Sequence, residues 1–165
     1  MANDEWQTPN NIILDVRELF GGVIDLDAAS NEHSNRRIQA QRYFSKTFGN
    51  SALNHFWCAE NVFLNPPYSR IITSFIVTLL REYNNRQFNE AVVLVNSDTG
   101  TAWYHKLCMY SPSWVITAGR IAFLDKSDQP VKANRMAQTI FYLGERQSEF
   151  EEVFSKHGLV IGRLK

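Results

Sequence analysis

Residues 91–96, with the sequence AVVLVN, restrict the possible folds more than any other segment. They form a continuous run dominated by β-branched side chains, which is typical of a strand covered on both of its faces. Two covered faces need a layer of helices on each side of the sheet. The rest of the chain can supply those layers, because stretches with strand character alternate with stretches of helical periodicity. The sequence therefore predicts an α/β fold.

The order of the other predicted elements supports this fold class. The first helix is expected to have Thr8 as its N-cap and Pro9 as its first residue, and to end at two glycines. We predict a mainly parallel sheet, with a late antiparallel hairpin at one edge around residues 119–138 and a final strand followed by an amphipathic helix. The predicted helices are residues 8–22, 35–43, 71–83 and 101–110, and the predicted strands are 23–29, 61–65, 91–96, 113–119 and 139–144.

Composition excludes several classes of protein. At 165 residues the chain is expected to form one domain. Its formal net charge is zero, so DNA binding would have to come from a local basic patch. The two cysteines and four histidines have no metal-ligand spacing, and we expect no metal site and no disulfide. No apolar run is long enough for a membrane span, and two free thiols suit the cytoplasm.

The sequence Asn65-Pro66-Pro67-Tyr68 follows a predicted strand directly. An amino nitrogen on an aromatic ring is a poor nucleophile because its lone pair is delocalised. Two acceptors placed against its hydrogens, the Asn65 amide oxygen and the Pro66 carbonyl, would direct that lone pair at an electrophile. The prolines would hold both acceptors rigidly, and Tyr68 would stack on the ring. The alternative is purely structural, with a capped turn, a strand end and a core tyrosine.

The tetrapeptide resembles the (Asp/Asn/Ser)-Pro-Pro-(Tyr/Phe/Trp) motif of S-adenosylmethionine-dependent amino-methyltransferases. Further segments occur in the order found in phage-type, Dam-like DNA N6-adenine methyltransferases, and together they span most of the chain. These segments are DEWQTP (4–9), IDLDAAS (24–30), NPPYS (65–69), VLVNSDTGTAWYHKL (93–107) and GRIAF (119–123).

The resemblance implies a Rossmann-like methyltransferase fold in a single domain over residues 1–165, without a separate target-recognition domain. It implies transfer of a methyl group from S-adenosylmethionine to N6 of a flipped adenine in double-stranded DNA, within GATC in the family. It also implies a phage or prophage protein acting in the bacterial cytoplasm, as a monomer or weak homodimer.

The resemblance also implies a set of cofactor-binding residues. Thr8 and the start of its helix would face the carboxylate of the cofactor, and Trp6 would cover it. Asp25 or Asp27 would accept from its ammonium group. On the residues alone, Thr8 can equally be a simple helix cap and Trp6 a hydrophobic staple. The full predicted set is Trp6, Thr8, Pro9, Asp25, Asp27, Ala28, Ala29, Asn50 and Asn65.

Two departures from the family pattern leave alternatives open. Ala28-Ala29-Ser30 replaces the usual Gly-x-Gly, and Asn50 or Ser51 stands where an acid would bind the adenine amino group of the cofactor. One alternative is therefore an inactive methyltransferase-like protein that binds DNA or a partner. Another is an amino-methyltransferase that acts on RNA or on protein glutamine.

Basic residues near the Pro-Pro motif and in the late hairpin are predicted to contact DNA. Asn134 and Gln138 are predicted to reach base edges in the major groove. A solvated hairpin is the structural alternative for the charges, and core packing is the alternative for the tryptophan. The predicted DNA-contacting set is Arg70, Trp103, Arg120, Lys126, Lys132 and Arg135.

Overall fold

The computed structural model describes residues 6–45, 51–68, 70–131 and 134–164. Within these residues the chain forms five α-helices and seven strands, and two short 3₁₀ turns. The helices are α1 (Asn10–Leu19), α2 (Glu32–Ile38), α3 (Ile72–Asn84), α4 (Ala102–Tyr110) and α5 (Gln147–Phe154). The strands are β1 (Leu26–Ser30), β2 (Arg42–Ser45), β3 (Asn61–Leu64), β4 (Glu90–Asn96), β5 (Ser113–Thr117), β6 (Gln138–Leu143) and β7 (Gly158–Gly162).

The seven strands form one mixed sheet in the order β2-β1-β3-β4-β6-β5-β7. The pairs β2-β1, β1-β3 and β3-β4 are parallel, whereas β4-β6, β6-β5 and β5-β7 are antiparallel and together pair more residues. The α/β class is consistent with a methyltransferase-like fold, but the prediction of a mainly parallel sheet is wrong. A parallel pair needs a long crossover, usually through a helix, and β5 is joined to β6 by a loop instead.

β5 and β6 pair antiparallel, as predicted, but not at the edge of the sheet. β6 inserts between β4 and β5, and the edge is formed by β7, which the sequence did not predict. β7 is hard to predict because only three apolar residues separate its two glycines. Gly158 is needed there, since a Cβ atom would lie 2.1 Å from the carbonyl oxygen of Ile116 on β5.

The prediction of a helix over residues 35–43 is wrong at both ends. The side chain of Asn31 accepts a hydrogen bond from Ser34 N at 2.9 Å, and this cap starts α2 earlier. Gln39 has a left-handed backbone (φ 52°), which ends α2. The following residues form β2, which pairs parallel with β1 and places Phe44 beside the end of that strand.

β4 is covered on both faces, as its continuous apolar sequence predicts. Val93 and Val95 face one core cluster, which contains the buried side of α3 and α4. Val92 and Leu94 face a second cluster, to which α1 and α5 contribute. Alternate residues of a strand point to opposite faces, so β4 lies in the centre of a three-layer structure.

α1 begins one residue later than predicted, at Asn10 instead of Pro9. Pro9 is its N-cap and makes no side-chain cap, so the Thr8 hydroxyl is not bonded to the start of the helix. Gly21 and Gly22, with φ of 76° and 106°, end the helix as predicted. Thr8 is thus left with its side chain available for another contact.

In the four described ranges of the chain, no helix combines the length and the apolar character that crossing a membrane would require. The same ranges contain no group of three or more His, Cys, Asp or Glu side chains arranged to hold a metal ion.

Candidate active site

A cavity of about 640 Å³ lies at the carboxyl ends of β1, β3 and β4. Parallel neighbours end at the same edge of a sheet, so residues that follow them meet there. Asn65 follows β3, and Asn96 is the last residue of β4. The sequence-predicted residues in the wall of this cavity are Trp6, Thr8, Asp27, Ala28, Ala29, Asn65, Pro66, Pro67, Tyr68 and Arg135.

Asn65 is held in place by the segment that precedes α1. Its Nδ2 donates to Thr8 Oγ1 at 3.2 Å, and Thr8 is buried. The amide Nδ2 therefore faces Thr8. The acceptor, Oδ1, has no hydrogen-bond partner among the described residues, and Asn65 is part of the cavity wall. Asn65 thus combines a fixed donor side with an unused acceptor.

Tyr68 is fixed at the opposite end of the tetrapeptide. Its hydroxyl donates to the carbonyl oxygen of Leu94 on β4 at 3.4 Å, while its ring lines the cavity. Burial raises the pKa of Tyr68 well above its ordinary value, so the side chain is a neutral phenol at every physiological pH. A neutral, anchored ring is suited to stacking and unsuited to proton abstraction.

Asp27 is a buried carboxylate with one oxygen unused. It is 1% exposed, and its Oδ1 accepts from Ala29 N at 3.1 Å. Its Oδ2 is buried and has no partner among the described residues. Burial raises the pKa of Asp27 to about 6, although the Ala29 N–H and the nearby Ser30 side chain act in the opposite direction. An unpaired buried carboxylate oxygen is costly and suits a cationic ligand group.

Asp25 is engaged elsewhere. Its Oδ2 accepts from Glu60 N at 2.8 Å, and its Oδ1 lies 3.8 Å from Arg42 Nε. It precedes β1, is engaged by Glu60 and Arg42, and is absent from the cavity wall. Of the two aspartates left open by the sequence, only Asp27 lines the cavity.

The remaining predicted cofactor residues differ in their relation to the cavity. The Trp6 ring packs against Phe123, with centroids 6.1 Å apart, and both rings line the wall. Pro9 caps α1 and is not part of the wall. Asn50 lies outside the described residues, but Ser51 lines the cavity.

Comparison with known protein families identifies the family of the chain. Residues 1–160 match the family described as DNA N-6-adenine-methyltransferase (Dam). The chain belongs to this family. A DNA N6-adenine methyltransferase is accordingly the activity that the Dam match supports, with DNA as the substrate. No curated protein matched the sequence.

Several residues of this Dam-family cavity were not predicted. Asn31 carries a signal that was available, since an Asn followed by Glu in a first helical turn is a common helix start. Phe44 carried no such signal, because the sequence predicted a helix up to residue 43 and no strand at β2. Its ring stacks on His55 with centroids 5.5 Å apart. The wall also contains Asn134, which was predicted to contact bases, and Ser51, which was considered together with Asn50. The unpredicted wall residues are Gln7, Ser30, Asn31, Ser34, Ile38, Phe44, Ser45, Ala52, Phe63, Phe75, Asn96, Phe123 and Met136.

The residues predicted to contact DNA separate into three groups. Arg135 is exposed and lines the cavity next to Met136, which is 44% exposed. Arg70, Arg120 and Lys126 are exposed but lie outside the wall. Lys132 lies outside the described residues, and Trp103 is buried in the core, where its ring meets Tyr104 edge-on.

Gln138 does not reach the surface, and its predicted contact with base edges is wrong. The residue is fully buried, and its Oε1 accepts from Ile121 N at 2.9 Å. Its Nε2 donates to Met136 O at 2.7 Å and to Asn96 Oδ1 at 3.2 Å. Asn134, also buried, donates to Ile121 O at 2.9 Å. Both amides hold the chain between β5 and β6, residues 118–137, which we call the β5–β6 loop.

The β5–β6 loop and the segment before α1 form one continuous side of the Dam-family cavity. Gln7 N donates to Leu124 O at 2.8 Å, and Leu124 N donates to Gln7 O at 3.0 Å. Gln7 Nε2 also donates to Asp125 O at 3.0 Å. Predicted cofactor-binding and DNA-contacting segments are therefore directly hydrogen-bonded to each other.

Proposed function

We propose that this Dam-family protein transfers a methyl group from S-adenosylmethionine to N6 of an adenine that is flipped out of double-stranded DNA. The observation that carries the proposal is the position of Asn65. Asn65 lines the cavity at the end of β3 with its Nδ2 bonded to Thr8, and Asp27, whose Oδ2 is buried and unpaired among the described residues, lines the same cavity. An amino group can be bound at the first residue and a cationic cofactor at the second.

The wall around Asp27 fits the cofactor. The Oδ2 of Asp27 would accept from its ammonium group, which would supply the missing partner of that buried oxygen. Ala28 and Ala29 are small enough for the ligand to approach the backbone closely, and Phe44 offers an aromatic face. When bound, S-adenosylmethionine supplies an electrophilic methyl group on a sulfonium sulfur.

Asn65 and Pro66 would act on the target amino group. The amide oxygen of Asn65 and the carbonyl oxygen of Pro66 would accept its two hydrogens and turn its lone pair toward the methyl carbon. The proline pair keeps both acceptors in place before the substrate arrives. Tyr68, held by its bond to Leu94, would stack on the base and keep it out of the duplex. No side chain needs to act as base, because the methylated nitrogen is cationic and loses its proton to water.

DNA recognition is assigned to loops around the cavity within a single domain. The exposed Arg135 lies in the cavity wall, where a phosphate beside the flipped nucleotide would pass. Arg70 and Arg120 are further exposed cations near the tetrapeptide and the β5–β6 loop. Phosphate contacts of this kind position the duplex, and base contacts then specify the sequence. The GATC site of the family is the first sequence to test.

The decisive experiment is methyl transfer from radiolabelled S-adenosylmethionine to unmethylated DNA, followed by nucleoside analysis. Duplexes with GATC and with the same bases scrambled test the site, and fully N6-methylated GATC is the blocked control. We expect label in N6-methyladenine. Folded protein that binds S-adenosylhomocysteine but labels no adenine would overturn the proposal, and label on RNA or protein glutamine instead would redirect it.

A further inference from the structure

We infer that Thr8 is a positioning residue for catalysis: its hydroxyl sets which way the Asn65 amide faces, and the carboxylate of the cofactor sets the direction of that hydroxyl. The inference rests on the proposed function and deepens it. It assigns to Thr8 a task beyond holding the cofactor. The cofactor would thereby hold the target-binding side of Asn65 in the acceptor form that the structure shows.

The first observation is that the Thr8 hydroxyl is not used by its own helix. α1 starts at Asn10, and its N-cap Pro9 has no side-chain capping bond. Thr8 is 2% exposed, and the contact that the structure gives its Oγ1 is the bond accepted from Asn65 Nδ2. Thr8 also lines the cavity, so this residue contacts both the Asn65 amide and the space that a ligand would occupy.

The second step is a matter of hydrogen-bond direction. A hydroxyl has one proton to donate, and a carboxylate can only accept. If the Thr8 proton goes to a carboxylate in the cavity, Thr8 Oγ1 can only accept from Asn65. Asn65 must then turn its Nδ2 toward Thr8 and leave its Oδ1 for the target. A flipped amide would place N–H groups against the N–H groups of adenine, which is repulsive and unproductive.

Residues 8 and 65 should therefore be coupled in their effect on the rate of methyl transfer. An Asn side chain has two different ends, whereas an Asp side chain has two equal oxygens. Orientation therefore matters for Asn65 and does not matter after Asn65→Asp. The substituted motif stays within the Asp/Asn/Ser pattern that the tetrapeptide resembles. Loss of the Thr8 hydroxyl should slow methyl transfer only while residue 65 is Asn.

Four proteins test this coupling: the natural chain, Thr8→Val, Asn65→Asp and the double variant. Single-turnover methylation is measured with cofactor and DNA both saturating, so that affinity does not enter. We expect Thr8→Val to lower the rate by roughly tenfold or more in the Asn background and by less than about threefold in the Asp background. Thr8→Ser should restore the rate, because it restores the hydroxyl. Equal losses in both backgrounds would overturn the inference.

A second readout does not depend on turnover. The Nδ2 resonances of Asn65 are identified in ¹⁵N spectra by their loss in Asn65→Asp. We expect S-adenosylhomocysteine to shift them in the natural chain and much less in Thr8→Val. 5′-Methylthioadenosine, which lacks the amino-acid part, should not reproduce the shift. If it does, or if Thr8→Val responds as the natural chain does, the carboxylate does not act through Thr8.

Thr78→Val is the matched control. Thr78 is also buried, on α3, but lies outside the cavity wall, so its substitution removes a buried hydroxyl without touching Asn65. It should leave both the rate and the Asn65 resonances unchanged. Should Thr8→Val fail to fold, the two ligands on the natural chain still decide the question. A natural chain that binds S-adenosylhomocysteine with the expected shift but methylates no adenine would sink the proposed function and leave the link between Thr8 and Asn65 standing.

Discussion

The hydroxyl of Tyr68 donates to the carbonyl oxygen of Leu94 at 3.4 Å, which ties the end of the Asn-Pro-Pro-Tyr segment to the neighbouring strand β4. The ring is therefore anchored at its tip, and its position is set before any ligand enters the cavity. Pre-organisation of this kind reduces the entropy lost when a base stacks on the ring.

Tyr68→Ala should weaken binding of a flipped base, because base–aromatic stacking contributes about 1–3 kcal/mol per base. The measurement is the fluorescence gain of 2-aminopurine at the target position in a duplex. We expect most of the gain to disappear in Tyr68→Ala and most of it to remain in Tyr68→Phe, which keeps the ring and loses the bond to Leu94. An undiminished gain in Tyr68→Ala would place the stacking contact elsewhere.

Asn65→Ala should reduce the rate of methyl transfer far more than cofactor affinity. Removing one preorganised hydrogen-bonding group from a transition state typically costs about 10²–10³-fold in rate. Single-turnover assays give the rate, and calorimetry with S-adenosylhomocysteine gives the affinity, which should change by only a few-fold. Asn85→Ala is the control, since Asn85 is exposed at the end of α3 and outside the cavity wall. A rate equal to that of the natural chain would refute a catalytic role for Asn65.

Cofactor affinity should fall on acidification because of Asp27. Burial raises the pKa of this carboxyl to about 6, and only the ionised form attracts an ammonium group. The dissociation constant of S-adenosylhomocysteine should therefore be steady above pH 7 and rise toward about tenfold per pH unit below pH 6. Asp27→Asn should bind weakly at pH 8 and lose this dependence. An affinity that is constant from pH 5 to pH 8 would exclude Asp27 as the ammonium partner.

Through Asp27, acidification should instead make the ligand-free protein more stable. Its pKa is raised from 3.8 to about 6 on folding, so the folded state binds the proton more tightly than the unfolded state. The ionised carboxyl thus costs stability above pH 6, and the cost is relieved as the pH falls from 6 toward 4. Asp27→Asn should raise the free energy of unfolding at pH 8 by roughly 3 kcal/mol and by much less near pH 4. Urea unfolding at both pH values checks this, and a difference that grows on acidification would contradict it.

Arg135→Ala should reduce the salt dependence of DNA binding. One lost phosphate contact lowers the slope of log affinity against log salt concentration by about 0.9 for duplex DNA. Fluorescence anisotropy from 50 to 250 mM salt measures the slope. Lys106→Ala removes the same charge from the exposed face of α4, outside the cavity wall, and should leave the slope unchanged. Equal slopes for Arg135→Ala and the natural chain would mean that the β5–β6 loop carries no phosphate contact at this position.

Local patterns predicted the elements whose identity depends on their own residues. The apolar run of β4 specified a strand covered on both faces, and the helix at residues 71–83 appears within one residue as α3. The tetrapeptide was placed at a strand end, and it lies at the edge of the sheet that holds the cavity. It lies there because carboxyl ends of parallel strands meet, whatever the rest of the sheet does.

The errors concern properties that depend on distant partners. Strand direction is decided by which strand pairs with which, so β6 could not be placed between β4 and β5 from its own sequence. Gln138 is a polar residue in a basic stretch, and only the fold shows that its amide is buried and fully bonded. Likewise, a Thr before a Pro predicts a helix cap, but here Asn65 is close enough to compete for its oxygen.

The mixed sheet separates the residues proposed for methyl transfer from the loop proposed to contact DNA. Asp27 lies in β1 and Asn65 follows β3, both in the parallel half, whereas the β5–β6 loop, with Arg135, joins two strands of the antiparallel half. The segment before α1, which holds Asn65 through Thr8, is joined to this loop by backbone bonds between Gln7 and Leu124, which do not depend on side-chain identity. The β5–β6 loop should therefore be replaceable as a unit. Grafting residues 118–137 from another family member, with position 124 kept in register, should alter the DNA sequence that is methylated and leave the methyl transfer step in place.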